Sequence, residues 1–354
     1  MKKNTLVFEV KKENYSVEEL KKAAEILNTG GTVIFPTETV YGLGANALDE
    51  NAAQKIYEAK GRPSDNPLIV HISQFNELDK LVKDIKDRDM KLMKAFWPGP
   101  ITFILPKTEI VPYKTTGGLE TVAVRMPSDE IARKLIELSQ VPIAGPSANI
   151  SGRPSPTNGK DVVEEMSGRV DAIVVSDNSN IGLESTVVDL TGDKVMILRP
   201  GKVTKEDLES VLGEEVLLDS TLMKGDTDFS NVEGGPKSPG MKYKHYSPEA
   251  DVYLVKGEDE AVKSLILEKL EEAEKEGKKA IVFCLESELD IYKGNGRSFG
   301  ENLDDVAKNL FAMLRQADRE KAQIVYCKTF ERKGLGLAVM NRLVKAAGHK
   351  IINA

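Results

Sequence analysis

The sequence predicts an α/β protein in two units: a larger one on a twisted mixed sheet over residues 1–205, and a smaller parallel one over 249–354, joined by a segment over 206–248. Three observations carry this. Short β-rich runs alternate with amphipathic stretches of helical period along the chain. The first unit has many strands for few helices, which argues for mixed strand directions, whereas the second alternates strand and helix as right-handed parallel crossovers do. Between them, from about 219 to 248, the pattern fails. Gly225, Gly234-Gly235-Pro236, Ser238-Pro239-Gly240 and Ser247-Pro248 punctuate a loop of roughly thirty residues, a length that belongs to a linker or a functional lid.

In the first unit the opening helix starts at a capping box, Ser16 with Glu19 three residues on, and stops at Gly30-Gly31. Strands follow at 32–35, 68–71, 101–105, 122–125 and 173–175, then the two arms of a hairpin at 186–190 and 195–198. Helices fit 50–60, 74–96, 129–139 and 160–166. In the second unit strands at 251–255, 280–284 and 323–327 alternate with helices at about 259–276, 303–316 and 337–347. No internal repeat or low-complexity tract interrupts the pattern.

Of 354 residues, 40% are apolar and 30% charged, ordinary for a soluble chain with more than one core, and 49 Lys+Arg against 56 Asp+Glu leave a formal charge of −7. The acid lies mostly in the second half: residues 1–205 hold 27 basic and 28 acidic side chains, the remainder 22 and 28. Holding RNA or DNA by bulk charge needs a positive field, so any contact with nucleic acid is expected to be local or brief. Cys284 and Cys327 are far apart with no CxxC, which removes a zinc cage or disulfide framework and favours a reducing, cytoplasmic setting. Charge breaks the amino terminus before a signal-peptide core develops, and no apolar run is long enough to span a membrane.

Several nucleotide and metal signatures are absent: the phosphate loop G-x-x-x-x-G-K-[ST], an HExxH pair and an EF-hand loop. Gly42-Leu43-Gly44-Ala45-Asn46-Ala47 matches the dinucleotide fingerprint in outline. Residues 37–41 separate it from the preceding strand, however, and the next helix opens only near Asp49, so a turn is expected there. Gly334-Leu335-Gly336, before the last helix, reads as a plain turn or as backbone N–H groups meeting an anion.

Four polar segments sit at strand ends, where a scaffold displays its working groups: 36–43, 60–67, 142–152 and 183–186. Lys60 and Arg62, pinned by Gly61 and Pro63, either grip phosphate oxygens or neutralise a helix C-terminus. Ser147 and Asn149 either donate to a nucleotide or stabilise their own turn. His71, ending an apolar strand, is a pocket residue or a satisfied core histidine. Arg125 can take a carboxylate bidentately or form an ion pair. Residues 236–248, with Tyr243, His245 and Tyr246 among lysines, form a passive tether or a lid that keeps water from a reactive intermediate.

Taken together, the strings P-T-E-T-V-Y-G-L from Pro36, K-G-R-P from Lys60, S-A-N-I-S-G from Ser147 and E-S-T-V-V-D from Glu184 occur in one order. They resemble those of the Sua5/YrdC family, threonylcarbamoyl-AMP synthases that begin the making of the tRNA modification N6-threonylcarbamoyladenosine. The resemblance covers nearly the whole chain. It implies a YrdC-like catalytic domain on the mixed sheet and a Rossmann-like Sua5 domain at the carboxyl end. It also implies that L-threonine, bicarbonate and ATP give threonylcarbamoyl-AMP and pyrophosphate, the adenylate passing to a tRNA threonylcarbamoyltransferase. By the same resemblance Lys60, Arg62, Ser147 and Asn149 form the catalytic constellation. Arg62, Asn66, Thr121, Ser147, Ser155, Arg199 and Tyr243 belong to the ATP side, and Thr37, Thr39, His71, Arg125, Gly145 and Ser185 to the threonine side. Mg²⁺ is expected to arrive with ATP and be held by its phosphates, with Glu184 as a weak helper. Two readings of other classes stand beside this one: an RNA-binding module, and a regulatory nucleotide-binding protein with the acidic half as sensor.

Overall fold

The computed structural model describes residues 3–223 and 246–354. The first unit runs β1 (Leu6–Glu9), α1 (Val17–Asn28), β2 (Val33–Phe35), β3 (Gly42–Asn46), α2 (Glu50–Lys60), β4 (Ile69–His71), α3 (Leu78–Leu81), α4 (Asp87–Phe96) and β5 (Ile101–Pro106). It continues through α5 (Tyr113–Thr116), β6 (Thr121–Arg125), α6 (Glu130–Ser139), β7 (Ile143–Ala144), α7 (Gly159–Met166), β8 (Ala172–Val175), β9 (Thr186–Asp189), β10 (Met196–Arg199), α8 (Lys205–Leu212), β11 (Leu217–Leu218) and α9 (Ser220–Met223). The second comprises β12 (Asp251–Lys256), α10 (Asp259–Lys275), β13 (Ala280–Cys284), β14 (Gly296–Ser298), α11 (Leu303–Arg319), β15 (Ile324–Lys328), α12 (Leu335–Ala346) and β16 (Ile351–Asn353).

Eleven strands of the first unit form one mixed sheet in the order β1-β8-β2-β3-β7-β4-β6-β5-β9-β10-β11, and five strands of the second form a parallel sheet in the order β14-β13-β15-β12-β16. The amphipathic faces explain the layering. Leu20, Ala23, Ala24 and Leu27 of α1 pack with Ile131, Ala132, Leu135 and Ile136 of α6 against Val33, Phe35 and Val174. Ala52, Ile56 and Tyr57 of α2, Leu92 and Met93 of α4 and Val162 and Met166 of α7 share a separate core with Ile34, Leu43, Val70 and Val124. Because side chains alternate along a strand, Val33 and Phe35 join the first core and Ile34 the second. No helix of the described residues is long and apolar enough to cross a membrane.

The structure departs from the sequence reading in several places. Ser16 is the N-cap of α1, but its side chain makes no capping hydrogen bond. The helix expected over 74–96 is broken: a 3₁₀ turn at Phe75–Glu77 leads into α3, and the chain leaves the helix at Val82. There Val82 bridges Lys107, Lys83 N donates to Pro106 O and Asp84 takes φ 59°, before α4 restarts. The apolar pattern runs on through the break, so the period alone reads as one helix.

Residues 42–46 are neither a turn nor a dinucleotide loop but strand β3, antiparallel to β2, with Phe35 opposite Gly42 and Val33 opposite Gly44. The glycines make room for one ring: a Cβ at Gly42 would lie 2.9 Å from Phe35 Cζ, and one at Gly44 2.8 Å from Cε1. Part of the segment read as a linker belongs to the large sheet, since β11 pairs in parallel with β10 and Leu208 of α8 is in its core. Strands β1, β7, β11, β14 and β16 went unseen because two to four residues are too few to display a period.

Candidate active site

The site is built where strand ends and loops of the large sheet meet. Strands β4 and β6 are parallel neighbours in a register that pairs His71 with Arg125. The loop between β2 and β3 brings Thr37 and Thr39, the end of α2 brings Lys60 and Arg62, and β7 leads into the loop holding Gly145, Ser147 and Asn149. Ser185 precedes β9 and Arg199 ends β10. These eleven sequence-predicted residues, with Glu184 and Tyr246, line one cleft of about 690 Å³.

At one end of the cleft the geometry follows from how α2 stops. Asp49 caps its start, accepting from Asn51 N at 2.8 Å and Ala52 N at 3.3 Å. Gly61 ends it with φ 62°, a left-handed conformation that costs a side-chain-bearing residue energy. Lys60 is 2% exposed, and its Nζ donates to the carbonyls of Ser147 and of Asn149, the latter at 2.6 Å. It therefore pins the 147–149 loop, an arrangement neither sequence reading contained. Burial, and then the charge of Arg62, push its pKa well down.

Ser147 Oγ donates to Asn149 Oδ1 at 2.5 Å, and Asn149 Nδ2 donates to Ile150 O and Arg153 O at 2.9 Å, so both residues line the cleft while bracing their own turn. Arg62 Nη2 donates to Pro67 O at 3.2 Å, and its buried Nε has no acceptor among the described residues. Burial pushes its pKa down to about 10, Tyr57 opposing this and the like charge of Arg199 adding to it. Arg199 is lowered to about 10 as well, by burial against the pull of Glu184. Its Nε donates to Ser185 O at 3.0 Å and its Nη2 to Ser185 Oγ at 3.2 Å.

The other end carries a cation that already has its anion. Arg125 Nη2 lies 2.7 Å from Glu38 Oε1, both side chains 5% exposed, and Nη1 donates to Thr39 Oγ1 at 2.9 Å. Burial alone would raise the Glu38 pKa, but Arg125 outweighs it and holds the carboxyl low. Arg125 Nε is buried and has no acceptor among the described residues. Thr37 Oγ1 lies 2.9 Å from Thr39 Oγ1 and donates to Val40 O at 2.6 Å, locking the loop.

His71 Nδ1 lies 3.3 Å from Ile143 O, and burial and then Arg125 drive its pKa down to about 3, so the ring is neutral. The neutral tautomer with Nδ1–H donating to that carbonyl leaves Nε2 as an acceptor. At Gly145 a Cβ would lie 3.5 Å from His71 Cε1 and Nδ1, in ordinary contact with the ring. Ser185 Oγ lies 2.8 Å from Thr102 Oγ1.

Three predicted residues are not among those lining the cleft. Asn66 is buried, with its carbonyl receiving Tyr57 Oη at 3.1 Å. Thr121 starts β6 opposite Pro106. Ser155 stands behind the wall, donating to Glu184 Oε1 at 2.8 Å. Tyr243, His245 and most of the tether or lid segment lie outside the described residues.

Glu184 is a poor fit as a magnesium helper, because its second oxygen receives Arg342 Nε at 3.1 Å and its charge is shared with Arg199. Among the described residues no group of three or more His, Cys, Asp or Glu could hold a metal ion. Sequence reasoning gave no site role to Glu38 or Arg342 and read Tyr246 only as part of the tether or lid segment, whereas Tyr246 lines the cleft. Asking what neutralises a buried Arg125 would have pointed to Glu38. Arg342 was legible as an arginine on the apolar face of its helix, four residues after Ala338 and four before Ala346.

Known proteins are similar to this chain along most of its length. The family model for Sua5/YciO/YrdC, described as "Telomere recombination", matches residues 25–201, and that for the threonylcarbamoyl-AMP synthase C-terminal domain matches 203–348. The threonylcarbamoyl-AMP synthase of Pyrococcus abyssi is 48% identical over 94% of this chain and 95% of its own, and that of Bacillus subtilis 43% identical over 94% of each. The crystal structure of Pyrococcus abyssi Sua5 complexed with L-threonine is similar with a TM-score of 0.91 at 46% identity, covering 99% of this chain and 100% of that one. Two matched domains, high identity along the chain and a shared fold lead to one conclusion: the chain belongs to the Sua5 family, the two-domain type of threonylcarbamoyl-AMP synthase.

Proposed function

We propose that this enzyme makes threonylcarbamoyl-AMP from L-threonine, bicarbonate and ATP, with the amino acid at the Arg125 end of the cleft and the phosphates at the Arg62–Arg199 end. The observation that carries the assignment of the two ends is their charge: Arg125 is neutralised by Glu38, whereas Arg62 and Arg199 lie close enough for the charge of one to lower the pKa of the other. A zwitterion suits the first environment and a polyanion the second. The threonine complex of the Pyrococcus abyssi relative supports an amino-acid pocket in this fold. Neither the RNA-binding nor the regulatory reading is favoured, since relatives matching 94% of the chain carry the synthase name.

In this reading threonine's amine combines with bicarbonate to a carbamate, losing water. A carbamate oxygen then attacks the α-phosphorus of ATP, the bond to the β-phosphate oxygen breaks, and pyrophosphate leaves. The protein's task is positioning and charge stabilisation rather than covalent chemistry. Arg125 Nε is available to threonine's carboxylate and His71 Nε2 to its hydroxyl. Arg62 Nε is available to a phosphate oxygen, and Lys60 holds the 147–149 loop against that group. Magnesium accompanying ATP would neutralise phosphate charge and would be held by the triphosphate rather than by a protein cage.

The product is a mixed anhydride that water destroys, so a tRNA threonylcarbamoyltransferase must consume it promptly. The free, buried thiols of Cys284 and Cys327 suit a reducing compartment, the cytoplasm. The test is pyrophosphate release with each substrate omitted in turn. Release that needs both threonine and bicarbonate is expected; release from ATP alone at the same rate would overturn the proposal.

A further inference from the structure

The second unit reaches the loop that carries Ser147 and Asn149 through one arginine that no sequence motif marks. Arg315 lies on α11, with its side chain 11% exposed. Its Nη2 donates to Pro154 O at 2.5 Å, and its Nη1 stands 2.6 Å from Glu165 Oε2. Glu165, on α7 with its side chain 3% exposed, receives Ile150 N on its other oxygen at 2.5 Å. One guanidinium therefore takes hold of residues 150–154 at both ends, directly at Pro154 and through a carboxylate at Ile150. Helix geometry explains the fit. Asp161 and Glu165 are four apart on α7, and Arg315 and Arg319 four apart on α11, so two acids meet two cations across the boundary between the units. Arg319 Nη1 lies 2.7 Å from Asp161 Oδ1. The boundary is closed around them: a Cβ on Gly182, at φ 78°, would run into the backbone of Lys308 in α11. Val40 and Leu183 of the first unit pack in one core with Leu310 and Phe311 of α11.

The loop so held is part of the cleft. Ser147, Asn149 and Ser151 line it, Lys60 Nζ donates to the carbonyls of Ser147 and Asn149, and Ser151 N donates to Lys60 O at 2.9 Å. Lys60 thus grips the loop on one side, and Glu165 grips it at the amide of Ile150. We propose that Arg315 is a positioning residue for this loop: by holding Pro154 and keeping Glu165 on the Ile150 amide, it fixes the arrangement of Lys60, Ser147 and Asn149 that the reaction uses. Without Arg315, Glu165 is a buried carboxylate that has lost its paired cation. That state costs more than one hydrogen bond to Ile150 returns, so the side chain leaves and the amide is freed. The carboxyl-terminal unit then sets the rate of the first without contributing a group that touches substrate. This rests on the reaction proposed above, in which the 147–149 loop faces the phosphates.

The experiment measures amide hydrogen exchange over residues 147–154, steady-state pyrophosphate release and threonine binding for the full chain, wild type against Glu165→Leu, Arg315→Met and the double variant. Each single variant is expected to speed exchange at Ile150 by ~10-fold or more, the scale of one lost hydrogen bond to a charged acceptor. It is also expected to lower kcat by ~10-fold, with threonine Kd within about 2-fold of wild type, a split that a merely structural role would not produce. Because both changes act through one link, the double variant is expected to lose about as much kcat as the worse single variant, not the product of the two. Should either single variant fail to fold, Glu165→Gln and Arg315→Lys weaken the same links at nearly the same side-chain size. A rise of about 3-fold in exchange at Ile150 is then expected, with threonine Kd unchanged.

Wild-type exchange at Ile150 in these variants, faster exchange with unchanged kcat, equal loss of kcat and threonine binding, or losses that multiply in the double variant would overturn the proposal. A wild type that releases pyrophosphate without threonine would instead overturn the functional reading beneath it, with the exchange at Ile150 still reporting separately on the loop.

Discussion

At the end of the cleft proposed for the amino acid Arg125 stands 2.7 Å from Glu38, a pair sealed inside the fold, whereas at the end proposed for the nucleotide Arg62 is bonded to backbone carbonyls and shares its surroundings with Arg199. The first arrangement completes itself during folding. The second sets two arginines close enough to oppose each other, with Glu184 pulling the other way on Arg199. The difference teaches what each cation is worth and to whom: removing Arg125 should be felt first by the fold, and removing Arg62 first by the reaction.

The largest expected effect breaks the comparison at its neutral end. Arg125→Leu leaves Glu38 buried without its cation, and loss of ~3–5 kcal/mol is expected in urea unfolding, as for other buried pairs broken on one side. Replacing both, Glu38→Gln with Arg125→Leu, should restore much of that stability while threonine binding stays lost. A single variant as stable as wild type would mean that the pair is not holding the loop. At the charged end, Arg62→Ala is expected to lower kcat/KM by ~10²–10³, the scale of one lost donor to developing charge, with little change in the unfolding midpoint. Loss of stability matched by little loss of rate would reverse the roles assigned to the two ends.

A smaller effect sharpens the neutral end. His71 has its folded pKa driven to about 3 by burial and then Arg125, so the fold requires a neutral ring, while the unfolded chain takes up a proton near its ordinary value of 6.5. Stability from this group is therefore whole above about pH 6.5 and is lost as pH falls towards 3, at up to ~1.4 kcal/mol per pH unit. His71→Gln should lose roughly 2 kcal/mol less than wild type in unfolding free energy between pH 7 and 5. Parallel pH curves for the two would show that the ring is not held neutral. The smallest effect lies far from either end: Ser16 makes no capping bond, so Ser16→Ala should cost less than the ~0.5 kcal/mol at the low end for a working cap, read from the same unfolding curves.

Much of the site was legible because its residues sit in short strings punctuated by Gly and Pro. K-G-R-P marks the end of α2, and His71 and Arg125 stand out as polar residues closing short β-rich runs. Parallel pairing that puts His71 beside Arg125 was not legible, since register is a property of the assembled sheet. The role of Lys60 escaped for a related reason. Its partners are backbone carbonyls about ninety residues away, and carbonyls leave no trace in a sequence.

The two units differ in the same respect. Alternation of strand and helix made β12, β13 and β15 of the parallel sheet readable, while the short strands β1, β7, β11, β14 and β16 and the glycine strand β3 had no period to show. Gly42 and Gly44 read as turn residues because the ring that needs their missing side chains, that of Phe35, lies on another strand. Glu38 was visible as a letter inside a motif, but its partner is 87 residues on and its purpose appears only once Arg125 is known to be buried.

The most direct measurement of the charge contrast is ligand binding by calorimetry at rising salt, with pyrophosphate and L-threonine titrated separately into the wild-type chain. Screening weakens attraction between a net-cationic site and a polyanion and leaves a zwitterion at a neutralised site nearly untouched. Pyrophosphate affinity is expected to fall severalfold between 50 and 300 mM salt, on the order of the Debye screening change, with threonine affinity unchanged. Equal salt dependence for the two ligands, or a steeper one for threonine, would contradict the division of the cleft.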